Sequence, residues 1–228
     1  MKRILLLAMF LPPDSGGERG WYIARALTLK GYRVIAVTNL QHHFKPHVKA
    51  KPWEVRDGVL VVRRPMLPLR YVGFLNKLLI FLSFTVSIIP VLLKLKVDLI
   101  YSRGPHPFLD LPAILYSQLK RVPLVIDVTD AWPETLAYSQ HRSPLITLSC
   151  RIGELVNRLV FRYADLVVTH TYLLAQHLLK YKPRRMRIIR GVIDTSLFKP
   201  IPRSEALKVI KSHLGMAWKG EITLVYTG

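Results

Sequence analysis

The chain has 228 residues, half of them apolar and 21% charged, which excludes wholesale disorder and suffices for a large buried core. Lys and Arg number 34 against 14 Asp and Glu, a formal charge of +20 that favours anionic partners: phosphates, acidic lipid or nucleic acid. The lone Cys150 excludes an internal disulfide and points to a reducing compartment. Lys2 and Arg3 precede a short apolar run over 4–11. It ends in Pro12-Pro13-Asp14, not in a small-residue cleavage site, so residues 2–9 read as a first strand. Residues 18–30 read as a helix with Trp21, Ala24 and Leu27 on one face and Gly31 as its stop. A strand over 32–38 follows, then a hairpin over 55–64 that turns at Asp57-Gly58. The apolar run over 78–93 reaches about 24 Å as a helix, short of the roughly 30 Å hydrocarbon core. It reads as a core helix or as one lying in a membrane interface. Lys77, Lys94 and Lys96 flank it, and either meet lipid phosphates or simply end the helix in water. Strands are predicted over 98–102, 123–128, 165–169 and 186–190, and helices over 108–120, 144–161 and 173–181. Alternating strands and helices predict an α/β fold: a doubly wound, mostly parallel sheet with helices on both faces. Pro200-Ile201-Pro202 reads as a linker and Ser204 as the cap of a short helix to about residue 213. Residues 221–227 read as one more strand, either opening a second domain or joining the first sheet at its edge.

Ligands of open α/β sheets bind beyond the carboxyl ends of the strands, so the segments that follow strands carry the candidate chemistry. After the first comes Pro12-Pro13-Asp14-Ser15-Gly16-Gly17-Glu18, leading into a helix. Paired glycines let backbone approach a ligand, and a helix start offers free N–H groups to an anion; an ordinary tight turn has the same composition. After the fourth strand, Ser102-Arg103-Gly104-Pro105-His106 offers a guanidinium for an anionic group, or only a solvated arginine. Later, Asp127, Asp130 and Glu134 crowd together in a chain with only 14 acids. Asp130 and Glu134 can accept sugar hydroxyls or a proton, and Trp132 can stack on a sugar face. Alternatively, Asp130 caps a helix begun by Pro133, which is compatible with the first role. His42, His43 and His47 lack a nearby carboxylate or cysteine, so no metal is expected. Cys150 lies on a helical pattern and reads as core, not nucleophile.

Taken together, five segments resemble the N-terminal domain of the family 4 retaining glycosyltransferases. They are Pro12-Pro13-x-x-Gly16-Gly17, Asp98-Leu-Ile-Tyr-Ser, Pro123-Leu-Val-Ile-Asp-Val-Thr-Asp130-Ala-Trp132-Pro133-Glu134, Ala164-Asp165-Leu-Val-Val-Thr, and Asp194-Thr195-x-x-Phe198-x-Pro200. Within the family the chain looks most similar to a branch that builds surface polysaccharides. The resemblance implies one half of a two-Rossmann enzyme, the acceptor-side half, over residues 1–200. Residues 201–228 would then be a linker helix and the first strand of a C-terminal donor-binding domain. It further implies a nucleotide-sugar donor, a glycan or lipid-linked acceptor, and no cofactor or metal. Gly16, Gly17 and Glu18 would meet the donor phosphates. Arg103, His106, Trp132, Glu134 and Arg190 would line the acceptor site, and Asp130 with Thr129 would stand at the reacting centre. Two departures matter. Many members carry a histidine where this chain has Thr129, so that residue's role does not carry over. Members also show asparagine-glycine-valine-aspartate where Gly191-Val192-Ile193-Asp194 stands here.

The expectation is therefore a cytoplasmic glycosyltransferase domain, peripheral on the membrane face and docked with a donor domain in cis or in trans. Alone it would be incomplete and nearly inactive. A non-catalytic accessory module is the alternative. A nucleic-acid binder is disfavoured, because the basic residues are spread from Lys2 to Lys219 without a recognition motif.

Overall fold

A computed structural model describes residues 1–12, 17–40, 50–104, 107–135, 144–191, 195 and 199–215. In chain order its strands are β1 (Arg3–Leu7), β2 (Arg33–Asn39), β3 (Trp53–Arg56), β4 (Val59–Arg64), β5 (Leu99–Gly104), β6 (Leu124–Val128), β7 (Leu166–Thr169) and β8 (Met186–Ile188). The helices are α1 (Glu18–Leu29), α2 (Phe74–Lys94), α3 (Pro107–Lys120), α4 (Pro144–Tyr163), α5 (Tyr172–Leu178) and α6 (Arg203–Leu214). The strands form one sheet in the order β3-β4-β2-β1-β5-β6-β7-β8, parallel except for the β3–β4 hairpin at its edge. The predicted doubly wound α/β architecture is therefore the observed one. Residues divide into a unit over Met1–Val192 and a second over Ile193–Gly228, which holds α6.

Local chemistry explains several boundaries. The hairpin turns where Asp57 and Gly58 both take positive φ, 49° and 78°, the turn whose twist matches paired strands. Gly31, at φ 86°, stops α1. Its N–H bonds the Thr28 carbonyl and the Tyr32 N–H bonds that of Leu27, closing two of the helix's last carbonyls. The last helix corrects one expectation: Pro202 stands at its cap position and no side chain caps it, so Ser204 lies inside the first turn. The predicted strand over 186–190 ends early, at Ile188, because the carbonyls of Ile189 and Arg190 turn toward the Arg19 guanidinium. The strand expected over 221–227 lies outside the described residues.

Side chains alternate along the strands and build two cores. Leu5 and Leu7 join Ile80, Phe84, Ile88, Ile100, Leu109, Ile126 and Phe161 under α2, α3 and α4. Ile4, Leu6 and Ala8 join Trp21, Ala24, Val34, Val61 and Tyr101 under α1. Hence α1 covers one face of the sheet, and α2, α3, α4 and α5 pack on the other.

The outer sides of three of those helices are also apolar. On α2, Leu75, Leu79, Leu82, Val86, Ile89 and Leu93 are exposed, at the three-and-four spacing of a single helical stripe. On α3 the exposed stripe is Leu111, Leu115 and Leu119; on α4 it is Leu148, Ile152, Leu155 and Leu159. With 21 residues, α2 is longer than the sequence run suggested and reaches about 31 Å, so length alone does not exclude a membrane span. One flank is packed: Ile80, Phe84, Ile88 and Leu92 of α2 are buried, three of them completely, in the core beneath it.

Candidate functional site

The chain leaves β1, winds outward through β2 and the hairpin, and returns through α2 to lay β5 on the other side of β1. The order of connection reverses there, and ligand crevices of open α/β sheets form at such a point, beyond the strands' carboxyl ends. Parallel pairing brings Leu7 of β1 beside Ser102 of β5, and Arg103 beside Asp127 of β6. The start of α1, the end of β5 and the end of β6 therefore meet.

Gly17 stands at the N-cap of α1 and is buried. A Cβ there would lie 2.4 Å from the Leu11 Cα and 2.8 Å from the Phe10 carbonyl oxygen. Glycine is thus required by the chain's own backbone, which folds back on itself to set the helix over the strand ends. Glu18 is exposed in the first turn, where the helix dipole favours an acid. Gly16 lies outside the described residues, as does His106.

Arg19 is the residue that sequence reasoning missed. From the first turn of α1 its Nε donates to Asp127 Oδ2 at 2.8 Å and its Nη2 to Oδ1 at 3.0 Å. The same guanidinium donates to the carbonyls of Arg190 at 3.2 Å and Ile189 at 3.1 Å. One side chain thereby ties the helix start to the ends of β6 and β8. Asp127 is fully buried and the Arg19 side chain is 10% exposed, so this is an interior ion pair with nearly every polar atom engaged. Burial alone would lower the Arg19 pKa; the bond and charge of Asp127 raise it above the ordinary value. Burial, and then the Asp127 carboxylate, push the Tyr101 hydroxyl far up.

Arg103 lies beside this pair, half-buried and not a solvated surface arginine. Its Cδ runs 3.4 Å from where a Cβ on Gly20 of α1 would sit, so it passes beneath that helix. Burial lowers its pKa; Asp127 and Asp130 oppose that shift and Arg19 adds to it. Gly104, one residue on, is closely approached by the carboxylate of Asp110, which is buried and accepts from Ser102 Oγ at 2.7 Å. Thr129 is half-buried and its hydroxyl donates to Asp130 Oδ2 at 3.2 Å, while Asp130 itself is exposed at the end of β6. Arg103, Asp130, Thr129, the Arg190 main chain and the start of α1 therefore share one mouth.

Trp132 and Glu134 are engaged elsewhere. A Cβ on Gly153 of α4 would lie 2.6 Å from the Trp132 ring, and Asn157 Nδ2 donates to the Trp132 carbonyl at 2.6 Å. The indole is packed onto α4. Glu134 Oε1 accepts from His177 Nε2 at 3.0 Å, from the Tyr181 hydroxyl at 3.1 Å, and from Lys180. Burial would raise its pKa, but Lys180 and His177 outweigh that and hold the carboxyl below its ordinary range. Cys150 Sγ lies 3.7 Å from the Pro133 carbonyl oxygen, and burial raises its thiol pKa, the opposite of an activated nucleophile. Among the described residues no group of His, Cys, Asp and Glu could hold a metal; His42, His43 and His47 lie outside them.

A parallel sheet reversing at β1, with a helix start and a charged cluster at the reversal, defines a Rossmann-like ligand-binding domain. The glycosyl transferase 4-like domain model matches residues 16–190, and the chain belongs to that family. It is similar in fold to sucrose-phosphate synthase from Thermosynechococcus elongatus, with a TM-score of 0.67 and 15% identity, covering 95% of this chain and 53% of that one. Anabaena HepE, solved with UDP and glucose, gives a TM-score of 0.61 at 18% identity, covering 94% and 50%. A glycosyltransferase from Rickettsia africae gives 0.56 at 16%, covering 93% and 49%. At such identities the likeness is one of fold, and the chain spans about half the length of these structures. No curated relative matches by sequence.

Proposed function

We propose that this chain is the acceptor-side half of a retaining glycosyltransferase. It takes a sugar from a nucleotide-sugar donor and passes it to a lipid-linked or polysaccharide acceptor, at the cytoplasmic membrane face. The observation that carries the reading is the mouth at the switch point, on a chain matched by the family model over 16–190. Solved neighbours that bind UDP or UDP-glucose support a nucleotide-sugar donor here.

In the transfer, the anomeric C–O bond to the diphosphate breaks, a bond to the acceptor hydroxyl oxygen forms on the same face, and the hydroxyl proton passes to the departing diphosphate. The leaving diphosphate gains charge as the sugar becomes oxocarbenium-like, so donors aimed at that charge lower the barrier. The free N–H groups at the start of α1, from Gly17 onward, face the phosphates; Arg103 holds an anionic group with its planar fork. Asp130, exposed and hydrogen-bonded by Thr129, accepts a hydrogen bond from a hydroxyl of the acceptor, with Arg190 at the same mouth. Trp132 and Glu134 act by shaping the wall after β6, through α4 and α5, not by touching substrate. Neither metal nor cofactor is required. The rest of the diphosphate clamp belongs to a donor-binding half, in cis or in trans.

The test is turnover of a nucleotide sugar by the 228-residue chain, with and without a complementing donor-binding half. Turnover only in the paired sample supports the reading, and robust turnover by the chain alone contradicts it. Donor and acceptor binding without turnover in any pairing favours the accessory-module reading instead.

A further inference from the structure

We infer that the outer surface of α2, α3 and α4 is a docking face for an anionic lipid bilayer. The inference rests on the membrane-face reading above and gives it a surface. α3 packs against α2 on one side and α4 on the other, so their exposed stripes lie side by side on one face of the domain. Val86 on α2 is 67% exposed, Leu115 on α3 56% and Ile152 on α4 55%. Helices about 10 Å apart and about 20–30 Å long make a strip on the order of 600 Å², at the upper end of what a soluble monomer ordinarily shows water. Because these helices also bury apolar side chains in the core, the lipid contact runs along their flanks, in the manner of interfacial helices.

Charge selects the occupant. The exposed ionised side chains on the three helices are Lys94, Lys120, Arg151, Arg158 and Arg162. Their two acids are Asp110, which is buried, and Glu154, which is half-buried. Apolar stripes interleaved with cations alone complement acyl chains beneath anionic headgroups. A second copy of the chain docked face to face would set these same cations against one another, with no exposed acid to meet them.

Flotation of the purified 228-residue chain with phosphatidylglycerol-rich and with pure phosphatidylcholine vesicles tests this. The wild type is expected to float with the former and about tenfold less with the latter. The triple variant Val86→Glu, Leu115→Glu, Ile152→Glu should lose at least about tenfold in binding. Leu29→Glu, at a residue 79% exposed on α1 across the sheet, should bind like wild type. The three single variants, each expected to weaken binding, serve if the triple variant does not fold. If the wild type floats with neither vesicle, the membrane reading falls and the inference with it. Should wild type and the variants float equally, membrane binding stands and the face is wrong. A wild-type dimer by light scattering that the triple variant abolishes would make the face a self-association surface and overturn the inference.

Discussion

The two faces of this sheet solve opposite problems. Under α1 the interior holds a full ion pair, Arg19 with Asp127, and a second arginine beside it. Under α2, α3 and α4 the core is aliphatic and aromatic apart from the buried Ser102–Asp110 hydrogen bond, and the same helices carry apolar stripes on their outer sides too. The contrast separates two tasks. Charge is brought inside at the carboxyl ends of the strands, and apolar surface is left on the outer sides of the helices.

The sharpest way to break that contrast is to unpair the buried charge. Arg19→Met removes the bidentate partner of the buried Asp127, leaving Arg103 nearby, and should cost about 3 kcal/mol in urea unfolding. Combining it with Asp127→Leu should recover much of the loss, because an apolar pair of similar volume replaces a buried ion pair at little net cost. Equal losses in the single and double variants would mean that the pair does not act as a unit.

Glycine contacts give the next largest effect. Gly17→Ala drives a Cβ into the Leu11 backbone, which cannot swing aside as a side chain can. Gly153→Ala drives one into the Trp132 ring. Both should lose about 1–3 kcal/mol by thermal melting, Gly17→Ala the more.

Glu134 gives a smaller and pH-dependent effect. Its folded carboxyl lies below the ordinary 4.5, so its stabilisation is complete above that value and vanishes as pH falls through the lowered folded value. Glu134→Gln should therefore cost about 1–2 kcal/mol at pH 7 and progressively less below about pH 4.5. A gap from wild type that stays constant down to pH 3 would contradict the assignment.

The smallest effect belongs to the outer face. Val86→Glu, Leu115→Glu and Ile152→Glu should each change stability by less than about 0.5 kcal/mol, because none leaves a packed core.

What the sequence revealed and concealed follows the range of the interactions. The β3–β4 turn was legible because Asp57-Gly58 carries its own conformational preference. The stop of α1 at Gly31 was legible for the same reason. Arg19 was not, since its partner lies 108 positions away. One signal was available: an arginine in the first turn of the helix after the first strand necessarily hangs over the strand ends. The partners of Glu134 were not legible because His177, Lys180 and Tyr181 come 43 to 47 residues later. Gly17 was recognised as a close-approach glycine, but what approaches it is the chain's own Leu11. Hydropathy located α2 without telling which flank the core would cover.

Arg103 offers the most direct trial of the whole account. Nucleotide-sugar turnover by the chain paired with a donor-binding half should fall about a hundredfold in Arg103→Met while the melting temperature stays near wild type. Turnover unchanged by that substitution would contradict the assignment of the mouth between α1, β5 and β6 as the place where the sugar phosphate is held.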